Sequence, residues 1–267
     1  MLRPMLDLET RRARRWWQTG RPIGSITRAA AFIEDVGFAL LFPMKTGTAL
    51  PSMWEAVTDR PLAAAQEEWG PDIERVWGWK DRMPLRGLAW YGKFVRGRGS
   101  FLSPSMLADL YPRSGRPDDF EQAGLSPGGH RVCRILLRSG PLPSFVLREA
   151  AGMSGKQGNQ RYSKVLLELG RTLAITNFGT ERMASGWPSA VIELTARAFA
   201  VPSPGERRAA RLRAAERFLS TVLAARAYEL GNAFGWRADP PRSILEELVA
   251  AGRAERDGAT YLAVGVR

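Results

Sequence analysis

Residues 155 to 181 read GKQGNQRYSKVLLELGRTLAITNFGTE, and within them Gln160, Arg161 and Lys164 are residue types that read nucleic acid. An arginine fork pairs with guanine and a glutamine amide with adenine in a major groove, while lysine supplies a point charge. Lys156 and Arg171 flank the group and suit phosphates. A second basic group, Lys93, Arg96 and Arg98, lies in WYGKFVRGRG around a glycine-rich turn. A hairpin tip of that kind can follow a backbone or enter a minor groove. The third is Arg11, Arg12, Arg14 and Arg15. Arginines so closely spaced cannot all share one helix face, so some must point into solvent or into a polyanion. Each group has a plainer reading as solvated surface.

Residues for bond-breaking chemistry are sparse. The carboxylates Glu34, Asp35 and Asp81 are the candidates for activating water. Glu34 and Asp35 fall at the end of a helical pattern, where solvated residues are the ordinary finding. The tract WGWKDRMP offers indoles that could stack on an extruded base, with Asp81 as acid or base. The plainer expectation has Trp77 and Trp79 anchoring the segment and Asp81 in an exposed pair with Lys80 or Arg82, worth little. One Cys, Cys133, excludes a disulfide framework, and with one His, His130, no zinc site of the usual type can be assembled. GKQGNQ lacks the spacing of a nucleotide-binding loop. The sequence therefore implies no metal and no cofactor.

The formal charge of +12 and pI of about 10.7 are those of a chain that meets a polyanion. Only five of the 39 basic residues are Lys, so composition accounts for part of the arginine excess. No run is apolar and long enough for a membrane span, and no secretory signal is evident, which points to a reducing, cytoplasmic, nucleoid-associated setting.

The elements that must position these residues follow from periodicity. LDLETRRARRWWQTG reads as a helix, then ITRAAAFIEDVG as a helix capped by Ser25 and stopped at Gly37, then FALLFP as a buried strand. LPSMWEAVTD and PLAAAQEEWGPDIERVWG read as helices, RGLAWYGKFVRGRGSFLS as a hairpin, and YPRSGRPDDFEQAGLSPGG as a linker. After it come HRVCRILLRSG, a helix over PLPSFVLREAAG capped by Ser144, and the opening stretch with Tyr162, Val165, Leu166 and Leu169 on one face. AERFLSTVLAARAYELG reads as one helix and PRSILEELVAAG as another, before a hairpin turning at Asp257-Gly258. Helices followed by short hairpins give a mainly α fold of tandem winged helix-turn-helix modules. The divisions fall at 1–43, 44–127, 128–185 and 186–267.

ITRAAAFIEDVGFALLFP, the tryptophan-rich WGWKDRMP and the basic hairpin resemble the AlkZ-type winged-helix DNA glycosylase superfamily. The resemblance implies modules that cradle duplex DNA and a glutamine-x-glutamine segment, following an early helix, that carries catalysis. Laid on that pattern, Val36-Gly37 is the entry, and the glutamine positions fall at about Leu40 and Phe42. Neither side chain offers a donor or a lone pair. The expectation is accordingly a duplex-DNA-binding protein, associated with repair, without the usual catalytic motif. Two alternatives stay open: a glycosylase excising alkylated or crosslinked bases through a different residue set, and a regulator or scaffold whose modules bind proteins.

Overall fold

The structure is a computed structural model. It describes residues 2–45, 47–60, 70–182, 188–201, 206–236 and 241–266. The 61–69 part of the helix expected over PLAAAQEEWGPDIERVWG lies outside them. The protein is mainly α-helical, with three small antiparallel sheets.

One order of elements occurs three times: helix, short strand, two helices, hairpin. The first unit comprises α2 (Ile26–Val36), β1 (Phe38–Leu40), α3 (Met53–Thr58), α4 (Pro71–Leu85), β2 (Trp90–Lys93) and β3 (Gly99–Leu102). It is preceded by α1 (Leu2–Arg15) and followed by α5 (Pro104–Leu110). The second has α6 (Pro127–Ser139), β4 (Leu142–Pro143), α7 (Ser144–Ala150), α8 (Gly155–Arg171), β5 (Ile175–Arg182) and β6 (Pro188–Leu194), with α9 (Thr195–Ala198) after it. The third has α10 (Arg207–Val222), β7 (Ala224–Arg226), α11 (Ala227–Phe234), α12 (Pro241–Ala250), β8 (Ala254–Asp257) and β9 (Thr260–Ala263). In every unit the last strand lies in the middle of its sheet, between the short first strand and its hairpin partner.

These pairings cross the divisions drawn from sequence. β1 pairs with β3, Phe38 opposite Leu102, so residues on both sides of the 43/44 boundary share one sheet. β5 pairs with β6 across the 185/186 boundary. The expected single helix over AERFLSTVLAARAYELG is broken: Leu223 has φ 65°, and Ala224–Arg226 pairs with β9 as a strand. Three residues of ladder outweigh the helix preference of the alanines, because tertiary pairing overrides a weak local propensity. Ser144 is the first residue of α7 rather than its cap, and its hydroxyl lies 3.2 Å from that of Tyr162. The expected linker is an ordered strap. Asp119 accepts from the Tyr111 hydroxyl, the Arg113 guanidinium and the Gly115 N–H, and Phe120 is buried.

The largest apolar core joins the first unit to the third. Phe38 stacks on Phe218 at 5.9 Å and meets Phe234 edge-on at 5.7 Å. The second unit packs its own core around Cys133, Leu136, Tyr162 and Leu169. Cys133 is a buried core thiol, pushed up to about 12 by desolvation. Trp90 ties the units together by donating its indole N–H to Thr195 at 3.0 Å. Thr176 completes the tie, its hydroxyl donating to the Tyr91 carbonyl at 3.0 Å. Among the described residues no helix is long and apolar enough to cross a membrane, and no group of His, Cys, Asp and Glu could hold a metal ion.

Candidate nucleic-acid interface

Helix α8 forms because Tyr162, Val165 and Leu169 recur with helical spacing and all three are buried. Its approach to the preceding turn depends on Gly158, where a Cβ would lie 2.4 Å from the Met153 carbonyl carbon and oxygen. Backbone cannot move aside as a flexible side chain does. Gly158→Ala is therefore expected to destabilise the chain by about 1–3 kcal/mol, measured by chemical denaturation.

The opposite face of α8 is exposed and carries Lys156, Gln160, Arg161 and Lys164. Lys156, Gln160 and Lys164 fall four residues apart and share a stripe, with Arg161 beside it. The only carboxylate of the helix is Glu168, four residues beyond Lys164, and it is engaged from another helix. It accepts the Ser126 N–H and hydroxyl, both at 2.6 Å, and so fixes the start of α6. The face is left cationic and amide-bearing.

The end of α8 meets the hairpin of the first unit. A Cβ on Gly170 would lie 3.0 Å from the Lys93 nitrogen, so glycine permits the approach. Arg171 lies across Gly97, where a Cβ would fall 2.6 Å from Nη2. The fold thus brings Lys93, Arg96, Arg98 and Arg171 around one hairpin tip. Lys93 and Arg98 are exposed, whereas Arg96 is half-buried at φ 53° with its guanidinium against Gly47.

The cluster on α1 has a different placement. Arg12 donates to the carbonyls of Val222 and Ala224 at 2.8 and 3.0 Å. Burial lowers its pKa, the largest influence on a group that Glu229 and Glu9 otherwise favour as a cation. Arg15 donates to Ser220 O and to Asp35, and Arg11 to Val266 O at 2.8 Å. These side chains fasten α1 to the third unit, with Trp16 donating to Thr221 O. Arg14 remains exposed.

The carboxylates are dispersed. Glu34 is exposed and accepts from Ser105, and Asp35 accepts from Arg15 and the Trp17 indole. Asp81 corrects the expectation of an exposed pair. It is buried, paired with Lys80 at 2.5 Å, and accepts from Asn177 at 2.6 Å, because α4 packs under β5.

Sequence reasoning weighed Trp77 as a ring that could stack on a base but missed the pocket it shares, of about 520 Å³, with Phe42, Lys45, Tyr91, Lys93 and Arg98, among others. Phe42 and Trp77 stack at 6.3 Å, and Trp77 is 41% exposed. Gly99 lets the Tyr91 hydroxyl approach, since a Cβ there would lie 2.4 Å from it. Burial, then the charge of Asp81, raises the Tyr91 pKa, so the phenol is a neutral donor. Among the described residues the lining holds no carboxylate, side-chain amide or imidazole, and Glu34, Asp35 and Asp81 are not part of it. The pocket can stack a planar ring and attract an anion. The signal in the sequence was FPMK, an aromatic beside a bend and a cation. Its aromatic partner Trp77 is remote along the chain.

Known proteins agree with this architecture. The DNA glycosylase AlkZ of Streptomyces sahachiroi superposes with a TM-score of 0.54, over 97% of this chain and 69% of that one, at 13% identity. Likeness at that identity speaks for the fold alone. No curated protein matches the chain. The family model described as AlkZ related, however, matches residues 23–232, which takes in the first two units and runs through α10 into α11. With so much of the chain matched, the protein is a member of the AlkZ-related family.

Proposed function

We propose that the protein binds duplex DNA in a repair-related role, with its three units acting as winged helix-turn-helix modules. The observation that carries this reading is α8. Its exposed face presents Lys156, Gln160, Arg161 and Lys164, its one carboxylate is engaged elsewhere, and its end abuts a basic hairpin. Family membership and the glycosylase named among similar structures support a DNA partner. In this reading Gln160 and Arg161 face base edges, and Lys156, Lys164, Lys93, Arg98 and Arg171 neutralise phosphates. The Arg11, Arg12 and Arg15 donors are engaged within the protein, which leaves Arg14 as the contact from α1. The aromatic pocket beside the hairpin receives an extruded base. The setting is the cytoplasm, at the nucleoid.

Phosphate neutralisation fixes the test. With about five phosphates contacted, the logarithm of affinity should fall with the logarithm of salt with a slope of roughly −4 to −5. Fluorescence anisotropy of a short labelled duplex between low and moderate salt measures it, and a flat response would remove the mechanism.

A second reading, a glycosylase working without the family's glutamines, is favoured by the pocket's stacked Phe42 and Trp77. Incubation with alkylated or crosslinked duplex separates the two. Abasic sites above a no-protein control establish cleavage, and their absence leaves binding.

A further inference from the structure

Helices α4, α8 and α12 occupy the same place in the three units, and their register is fixed residue by residue. Each is followed by a residue of positive φ: Gly87 at 66°, Leu173 at 57° and Gly252 at 69°. The next N–H then closes on a carbonyl of the last helical turn, Leu88 on Met83, Ala174 on Leu169 and Arg253 on Leu248. Counted from these bonds, Tyr162, Val165 and Leu169 of α8 correspond to Val76, Trp79 and Met83 of α4, and all six are buried. Val165 and Leu169 correspond likewise to the buried Ile244 and Leu248 of α12.

The inward faces match and the outward faces do not. A helix that reads a major groove presents its first turns to the base edges. In α8 those turns carry Lys156, Gln160 and Arg161, all exposed, and no acidic residue stands in the first turn. In α4 the counterparts of Gln160, Arg161 and Lys164 are Glu74, Arg75 and Gly78. Its first turn is acidic, with Asp72 and Glu74, and Arg75 pairs with Asp72 at 2.9 Å. Strand β5 lies against the later turns of α4, where Asn177 donates to the buried Asp81. In α12 the counterpart of Lys164 is Ser243, and that of Glu168 is Glu247, exposed and held by Arg208 at 2.5 Å. Glu246 accepts from Arg256 and from the Tyr261 hydroxyl at 2.8 and 2.6 Å. Carboxylates brought to a groove are repelled by the phosphates that flank it.

We infer that base sequence is read by α8 alone, a reading that rests on duplex binding itself, with α4 and α12 staying out of the grooves. The stripe from Lys156 to Lys164 covers about 12 Å of helix at 1.5 Å per residue. That length matches about four base pairs at 3.4 Å each. The partner is therefore a duplex with one short specified run and unspecified flanks. Two reading helices would instead call for half-sites about one helical turn apart.

The test uses the full chain and a labelled duplex selected from a pool randomised over two helical turns. Each base pair of the selected duplex is changed in turn, and the variants compete in fluorescence anisotropy. Losses of about tenfold or more are expected, confined to one run of about four adjacent pairs. Gln160→Ala and Arg161→Ala should each flatten the losses at a position inside that run. Arg75→Ala in α4 and Glu247→Gln in α12 should leave the run where it is. Circular dichroism confirms that each variant is folded. A second run about ten base pairs from the first overturns the inference. So does a run abolished by Arg75→Ala or Glu247→Gln, or tight binding with no preferred sequence. Each of these leaves duplex binding standing. No duplex binding at low salt removes the proposed function itself, and the inference with it.

Discussion

Replacing Arg161 and Lys164 together by alanine should lower duplex affinity on the order of a hundredfold, about 3 kcal/mol for one base-reading fork and one cation. Both side chains are exposed on α8, whose one carboxylate is engaged by Ser126, so neither replacement leaves a buried group unsatisfied. The folded state should be nearly unaffected, since exposed substitutions of this kind change stability by about 0.5 kcal/mol or less. That separation makes the result interpretable. Anisotropy with one duplex, alongside thermal melting, gives both quantities. An unchanged affinity would show that DNA, if bound, uses another surface. The loss at Arg161 should also depend on sequence. A base-reading arginine relaxes discrimination at one position, whereas a lysine on phosphate weakens all duplexes alike.

The second large effect concerns stability. Asp81→Ala should cost about 3–5 kcal/mol, the usual penalty for leaving one partner of a buried pair uncompensated. Lys80 would lose its 2.5 Å partner while remaining buried, and the Asn177 amide would lose its 2.6 Å acceptor. Chemical denaturation measures the change. Asp35→Ala is the comparison, because that carboxylate is exposed and its ion pair should contribute about 1 kcal/mol or less. Equal costs for the two would show that Asp81 is solvated in solution. The contrast also bears on chemistry, since a carboxylate locked between Lys80 and Asn177 supports α4 rather than activating water.

What could be read in the sequence divides by the range of the interaction. The apolar stripe of α8 follows a local period, and it revealed both the helix and the outward placement of Gln160, Arg161 and Lys164. A serine cap gave the start of α2 for the same reason, since Ser25 bonds backbone within its own first turn. The break at Leu223 was hidden because its cause is a pairing of Ala224–Arg226 with a strand more than thirty residues later. The roles of Arg12 and Arg15 were hidden more deeply, since their acceptors lie 210 and 205 residues away and belong to backbone, which carries no side-chain signature. The aromatic pocket fell between these cases: its members Phe42, Trp77 and Tyr91 were visible singly, and only the packing of α4 on the first sheet assembles them.

The fastening of α1 carries a consequence for how the chain matures. Helix α1 has its acceptors more than two hundred residues later, with Arg11 reaching Val266 across 255 positions. During translation those arginines emerge long before their acceptors, the carbonyls at the end of α10, which follow 210 and 205 residues later. Docking of α1 is thus a late, long-range closure rather than an early nucleus, and it comes at the entropic cost that slows such closures.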